Sequence, residues 1–277
     1  MSSPTVVIGD RYYRVERPWG VLPNGGRLGA VSELALDSKG NVYVFQRNDP
    51  PVLVFDPMGN YVGGWGAGEV YDGHGICIGP DDRVFLVDRD AHQILIYTTD
   101  GHRLGEIGER HKPTLGGVFN HPTDVAVASD GELYVSDGYG NSVVHRFSPD
   151  GKLIQTWGTG GTGPGEFSTP HGIWVDQQDR VLVADRENDR IQLFTRDGEY
   201  IEEWGDLQHP MDIYVDDAGM VFVTDCVPRL TMFAPDGSIA GRCRPTWDSP
   251  HGVWGNKNGD IFLAEQTPNR VTKLTAL

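Results

Sequence analysis

One pattern recurs six times along this 277-residue chain, at the spacing of roughly 40 residues that marks a repeat architecture. The copies begin at Val31, Gly73, Pro122, Pro170, Pro210 and Pro250. Each holds short runs rich in Val, Ile, Leu, Phe and Tyr, punctuated by Asp-Gly, Lys-Gly or Asp-Asp-Arg turns. Such runs read as strands joined by tight hairpins. Asp150-Gly151, Asp197-Gly198 and Asp236-Gly237 fall at one phase, between the third and fourth strands of their copies. No segment sustains a helical period, so the chain is expected to be all-β.

Four antiparallel strands per copy, arranged radially, make a β-propeller, and six copies predict six blades within one domain, residues 1–277. The sixth copy stops after three strands, and the stretch Tyr12-Tyr13-Arg14-Val15-Glu16-Arg17-Pro18-Trp19-Gly20 resembles the missing fourth. It is expected to pair into the last blade and tie the ring shut, removing the edges an open array would expose.

The formal charge of −16 argues against nucleic acid and anionic membrane surfaces, which both select a basic footprint. The first twenty residues lack the apolar core of a signal peptide, and no stretch is long enough to span a bilayer. Cys77, Cys226 and Cys243 are an odd, sparse set, with Cys77 inside an apolar strand. A reducing cytoplasm is the expected location. The longest departures from the repeat, Glu109 to Asn120 and Gly158 to Glu166, are candidate loops over a site or simple insertions.

Aligned on their shared proline and the apolar residues that follow, the copies place Ser32, His74, Thr123, His171, Met211 and His251 at one position. Histidine occupies it in the second, fourth and sixth copies, which in a closed ring face one axis from three directions. Neutral imidazole is a common metal ligand, and three of them leave a position open for water or substrate. A divalent ion is therefore expected at His74, His171 and His251: zinc first, with iron or another transition metal as alternatives. The next residue alternates as well, Glu33, Asp124 and Asp212 in odd copies against Gly75, Gly172 and Gly252 in even ones. The glycines would allow close packing beside a metal, and the carboxylates would orient its ligands. His121 and His209 precede their prolines and are expected at the rim. His92, His102, His111 and His145 belong to outer strands or loops.

The pattern Pro-x-Gly-Ile-x-Val-Asp, Val-x-Val-Ala-Asp, Asn-x-Arg-Ile-x-x-Phe resembles the NHL repeat over nearly the whole chain from Val31. Within that family the sequence is most similar to the peptidyl-α-hydroxyglycine α-amidating lyases. Ser136-Asp137-Gly138-Tyr139-Gly140-Asn141-Ser142 looks like the segment bearing their catalytic tyrosine. Pro170-His171 through Val183-Ala184-Asp185-Arg186-Glu187-Asn188 looks like the segment with a zinc histidine and an active-site arginine. Phe45-Gln46-Arg47-Asn48-Asp49 resembles the source of the second arginine, and His74 and His251 match the other zinc ligands. The resemblance implies that Tyr139 accepts a proton and that Arg47 and Arg186 hold a small-molecule carboxylate substrate. Three positions depart from the family: Ser249 replaces a methionine, Gly140 a disulfide cysteine, and Gly252 an acidic calcium ligand. That last change leaves a structural calcium without one of its ligands.

The expected activity is metal-dependent cleavage of a small α-hydroxyglycine-like (hemiaminal) carboxylate. Two alternatives stay open at this stage: a metal-dependent hydrolase or lyase acting on a lactone or cyclic substrate, and a non-catalytic propeller that binds a protein partner.

Overall fold

The structure, a computed structural model, describes residues 4–245 and 250–277. The position of Ser249 lies outside the described residues. Six sheets stand around one axis, and in five of them the strands run in sequence order from the axis outward, while the last is completed by N-terminal strands. The first blade comprises Val31–Leu36, Val42–Gln46, Val52–Phe55 and Tyr61–Trp65. The innermost strands of the other five are Gly73–Ile78, Asp124–Val127, Pro170–Val175, Pro210–Val215 and Pro250–Gly255.

Inner and middle strands are buried along both faces because each blade is sandwiched between two neighbours. Val84–Asp88 (VFLVD) shows the consequence, with β-branched and aromatic residues at successive positions rather than an apolar–polar alternation. The outermost strands carry the alternation instead: Tyr61–Trp65 and Leu153–Trp157 each keep exposed residues between partly buried ones. The core is accordingly six separate clusters, one for each pair of adjacent blades, and not a single central one. Phe85, Phe147, Phe194 and Phe233 are among their fully buried members, each worth about 1.5–3 kcal/mol over its exposed state.

The ring closes as the sequence implies. Arg11–Trp19 pairs antiparallel with Asn269–Ala276, the third strand of the last blade. Its Trp19 then plays the part of the Trp-Gly that ends other copies. Gly198, in a hairpin turn at φ +76°, lies flat on Trp157 of the preceding blade, where a Cβ would come within 2.7 Å of the indole. Gly59 meets Trp19 in the same way across the closure. A fifth strand, Thr5–Ile8, adds outside Arg11–Trp19, an element the repeat pattern does not announce.

The two irregular stretches differ. Residues 158–166 contain half of a small parallel pair, Thr159–Gly160 with Glu166–Phe167. Residues 109–120 hold no regular element but are fastened to the loop that carries Tyr139. Asn141 accepts from the Gly116 amide at 3.0 Å and donates to the Thr114 and Gly117 carbonyls at 3.0 and 3.2 Å. None of the three cysteines forms a disulfide, and Cys77 is buried. Among the described residues no helix is long and apolar enough to cross a membrane.

Candidate active site

Each innermost strand except Asp124–Val127 begins with a register shift against its neighbour, as between Gly73 and Ile76 or Pro250 and Gly252. Such a bulge suspends the two-residue alternation of a strand, so consecutive side chains can both face the axis at different depths. His74, His171 and His251 fill the upper layer, buried, with one ring nitrogen of each within 4.8 Å of the others. Glu33, Asp124 and Asp212 fill the layer beneath under the same distance limit.

The histidines are fixed by backbone. His74 Nδ1 donates to the Thr123 carbonyl at 2.7 Å, and His171 Nδ1 to the Met211 carbonyl at 2.8 Å. The backbone of Ser32 faces His251 in the same relation without reaching hydrogen-bonding geometry. Each even blade thus leans its imidazole on the equivalent residue of the following odd blade. A carbonyl can only accept, so Nδ1 of His74 and His171 carries the proton and Nε2 presents a lone pair. Burial holds all three pKa values below the ordinary imidazole range, His251 to about 3, and mutual repulsion and the nearby arginines push the same way. His171 Nε2 is buried with no hydrogen-bond partner. Three neutral imidazoles, one with a stranded lone pair in a desolvated pocket, fit a divalent cation, with His74, His171 and His251 as its ligands.

The carboxylates do not orient those ligands, contrary to the sequence expectation. They accept backbone amides of the next even blade: Glu33 from Ile76 at 2.9 Å, Asp124 from Ile173 at 2.9 Å and Asp212 from Val253 at 2.7 Å. The glycines that follow the histidines make room for them. A Cβ on Gly75 would stand 2.7 Å from Asp124 Oδ1 and 2.9 Å from the Asp124 backbone. Burial and mutual repulsion raise the carboxyl pKa values, that of Asp212 to about 7. Below this layer Trp174 and Trp254, ring centroids 4.9 Å apart, separate it from the opposite mouth, and Trp254 packs against four of the six interblade clusters.

Around the open mouth stand the other residues singled out in the sequence. Tyr139 brings its hydroxyl to 3.1 Å from His74 Nε2. It sits between two tightly packed glycines; a Cβ on Gly138 would strike the Pro170 carbonyl. Arg47 donates its Nε to the Gly73 carbonyl at 3.1 Å and faces Asp72 at 3.2 Å. Arg186 is close enough to bias the ionisation of Tyr139, His171 and His251, yet its buried Nε has no acceptor. That same Nε faces the Glu187 carboxylate in an ion pair at 3.5 Å, short of hydrogen-bonding geometry. Burial raises the Tyr139 pKa, and Arg186, Arg89 and Arg47 pull it back.

Arg89 was missed in the sequence. Its guanidinium lies over the Tyr139 ring, 5.4 Å from the centroid. A signal existed: Asp88-Arg89 ends the second strand of its copy at the phase of Asp185-Arg186. His121 and His209 do lie near the mouth, His121 giving its carbonyl to the Tyr139 amide at 3.4 Å and His209 facing Glu187 at 3.1 Å. His145 is packed between Thr156 and Asp137, and His92 against the ring of His121. His102 and His111 are exposed.

Residues 119–216 match a family described as a 6-bladed beta-propeller. The peptidylglycine alpha-amidating monooxygenase of Rattus norvegicus is 31% identical over 96% of this chain and 32% of its own length. The peptidyl-alpha-hydroxyglycine alpha-amidating lyase 1 of Drosophila melanogaster is 30% identical over 62% of this chain and 38% of its own. The chain thus spans about a third of the length of these relatives. NHL repeat-containing protein 3 of Homo sapiens is 31% identical over 96% of this chain and 84% of its own. Among solved structures, a gluconolactonase from Xanthomonas campestris superposes with a TM-score of 0.74 at 15% identity, covering 100% of this chain and 99% of that one. That likeness is one of fold.

Proposed function

This chain belongs to the family of NHL-repeat β-propellers, and from that footing we propose that it is a metal-dependent lyase acting on a small α-hydroxyglycine-like carboxylate. The observation that carries the reading is the convergence of three buried, neutral histidines with the hydroxyl of Tyr139 at one open mouth. The amidating lyases among its relatives support the reaction class.

A divalent ion, zinc first, would supply Lewis-acid polarisation of the substrate hydroxyl. The chain's own groups do the rest. Among the described residues Arg186 is paired only through its Nε, with Glu187 at 3.5 Å, so its terminal nitrogens are left for a carboxylate, which the planar fork can take in bidentate fashion. Arg47 adds a second cation on the opposite side of Tyr139's blade. Tyr139 takes the hydroxyl proton; burial leaves its pKa raised, the three arginines oppose that rise in part, and the substrate hydroxyl would be made more acidic by the polarisation. As that O–H bond gives way to the carbonyl of glyoxylate, the carbon–nitrogen bond breaks and the nitrogen receives a proton, leaving a primary amide. Trp174 and Trp254 pack together beneath the carboxylate layer, on the side of the histidines away from Tyr139.

The test is elemental analysis of purified protein beside a His74→Ala/His171→Ala/His251→Ala variant, followed by glyoxylate assay with α-hydroxyglycine-like substrates. Near-stoichiometric metal lost in the variant, together with metal-dependent glyoxylate release, is the expected result. Absence of metal even after reconstitution would overturn the reading, and turnover of a lactone without glyoxylate would replace it with a hydrolase.

A further inference from the structure

Three arginines close the second strands of their blades at one repeat phase: Arg47, Arg89 and Arg186. They are not equivalent. Arg186 meets one carboxylate, Glu187, its Nε at 3.5 Å, whereas Arg89 is held on two sides by carboxylates. Its Nε donates to Asp90 at 2.8 Å, and its Nη2 pairs with Asp72. Asp72 also faces Arg47 at 3.2 Å, so one buried-edge carboxylate links the two arginines. With Nε and Nη2 engaged in this way, the guanidinium of Arg89 is held over the Tyr139 ring, its central carbon 5.4 Å from the centroid, and it also acts on the Tyr139 hydroxyl by hydrogen bonding. Attraction between a guanidinium and an aromatic face is directional enough to fix a ring.

Tyr139 needs such a restraint. It is 40% exposed, it rides on a Gly-Tyr-Gly loop, and its amide reaches the His121 carbonyl only at 3.4 Å. The rings of His74 and His171 meet it edge-on from the axis side, with centroids at 5.4 and 5.9 Å. Arg89 supplies a lateral wall on another side.

We propose that Arg89 is a positioning residue, clamped by Asp72 and Asp90, that holds Tyr139 over the histidine triad and takes no direct part in binding the substrate carboxylate. For its kinetic effect the inference rests on the lyase reading; for its structural effect it does not.

Two measurements decide it. The first places 3-fluorotyrosine at position 139 and records its fluorine resonance in the native protein and in Arg89→Ala. A single native resonance that shifts or splits in Arg89→Ala is expected; an unchanged resonance overturns the clamp. The second is kinetic. Arg89→Ala should lower kcat by about tenfold to a hundredfold, the scale of a misplaced reacting group, with KM nearly unchanged, whereas Arg186→Ala should raise KM. In a Tyr139→Phe background the Arg89→Ala loss should vanish, because the two residues act as one unit; an additive loss overturns the proposal. Arg89→Lys keeps the charge but not the flat fork, so it should recover only part of kcat, and full recovery would mean that charge alone matters. Arg89→Gln serves both measurements should Arg89→Ala not fold. If the native protein releases no glyoxylate from any α-hydroxyglycine-like substrate, the lyase reading fails while the fluorine resonance still judges Arg89.

Discussion

Two rings of three side chains share one axis, one layer apart, and they answer burial in opposite ways. The histidine layer is made of bases kept neutral by burial, two of them, His74 and His171, held by carbonyls with Nε2 lone pairs left to the site. The carboxylate layer is made of acids held by amides, with pKa values raised toward the protonated form. The upper ring leaves a coordinating atom without a partner; the lower ring spends its acceptors tying each odd blade to the next even one. An identical rhythm in the repeat therefore yields a ligand site in one layer and a tie between blades in the other.

The sharpest way to break that division is to remove one member from each ring. His171→Ala should abolish near-stoichiometric metal binding, a loss beyond the roughly 10–100-fold that follows from disturbing a ligand's supporting partner. In chelated protein it strands one acceptor, the Met211 carbonyl, and should lower the unfolding midpoint less than loss of a carboxylate that serves two amides. Asp212→Ala should do the reverse. It strands the Val253 and Ile213 amides, at about 1–3 kcal/mol for each buried donor left unmade, while metal content after refolding stays near native. Equal effects of both variants on metal, by elemental analysis, would erase the distinction.

A smaller perturbation acts between the layers. In Gly75→Ala the new methyl would crowd the Asp124 carboxylate and backbone, and overpacking of this kind costs about 1–3 kcal/mol. Denaturant unfolding should show that loss, and Gly105→Ala, on a partly exposed outer strand where the Cβ would meet nothing within 4 Å, should not. A neutral Gly75→Ala would mean that the close approach of the carboxylates is not what the glycines are for.

How much of this was legible beforehand follows from the same residues. Hairpin glycines, apolar runs and the orphaned Trp19-Gly20 announced the blades and their closure, because turn chemistry and burial act locally. The histidines were legible because a metal site needs one residue type at one phase. The task of Glu33, Asp124 and Asp212 was not, since the bulge that sends adjacent side chains to two depths leaves no mark in residue type. Tyr139, Arg47 and Arg186 came from resemblance and not from periodicity. Arg89 shared the phase of Arg186, but only the fold shows Asp72 and Asp90 closing on it while Arg186, among the described residues, meets Glu187 alone, at 3.5 Å.

The two rings should also pull stability in opposite directions with pH in metal-free protein. Asp212, raised to about 7, keeps its proton in the folded state while the unfolded chain releases its own near the ordinary value of about 4. That contribution is complete at low pH and is lost as pH rises through the window from about 4 to 7. His251, lowered to about 3, stays neutral when folded while the unfolded chain takes up a proton below about 6.5. Its contribution is complete at neutral pH and is lost as pH falls. The slopes partly cancel in the native protein. Asp212→Asn should leave stability rising more steeply from about pH 4 to 7, and His251→Gln should tilt it the other way, each by at most about 1.4 kcal/mol per pH unit. Parallel profiles for native protein and both variants, from chelated samples unfolded in denaturant, would show that neither ring changes protonation there.

The mildest change asks whether the odd-blade residues of the upper layer matter as side chains or as backbone. Met211 shares the histidines' position in its copy and is buried beside them, so its thioether is within the same pocket as three imidazoles. Yet the contact that fixes His171 comes from the Met211 carbonyl, at 2.8 Å, and its sulfur lies 3.8 Å from Cys226 Sγ. Ser32 and Thr123, which occupy the equivalent places, share no side-chain chemistry with a thioether, whereas Thr123 and Met211 each supply a backbone carbonyl to a histidine and the Ser32 backbone faces His251. Met211→Leu conserves volume and keeps that carbonyl, so it should cost less than about 1.5 kcal/mol and leave metal affinity unchanged. A tenfold or greater fall in affinity, by competition with a chelator of known strength, would move the sulfur from wall to ligand and make the odd blades part of the site they otherwise only support.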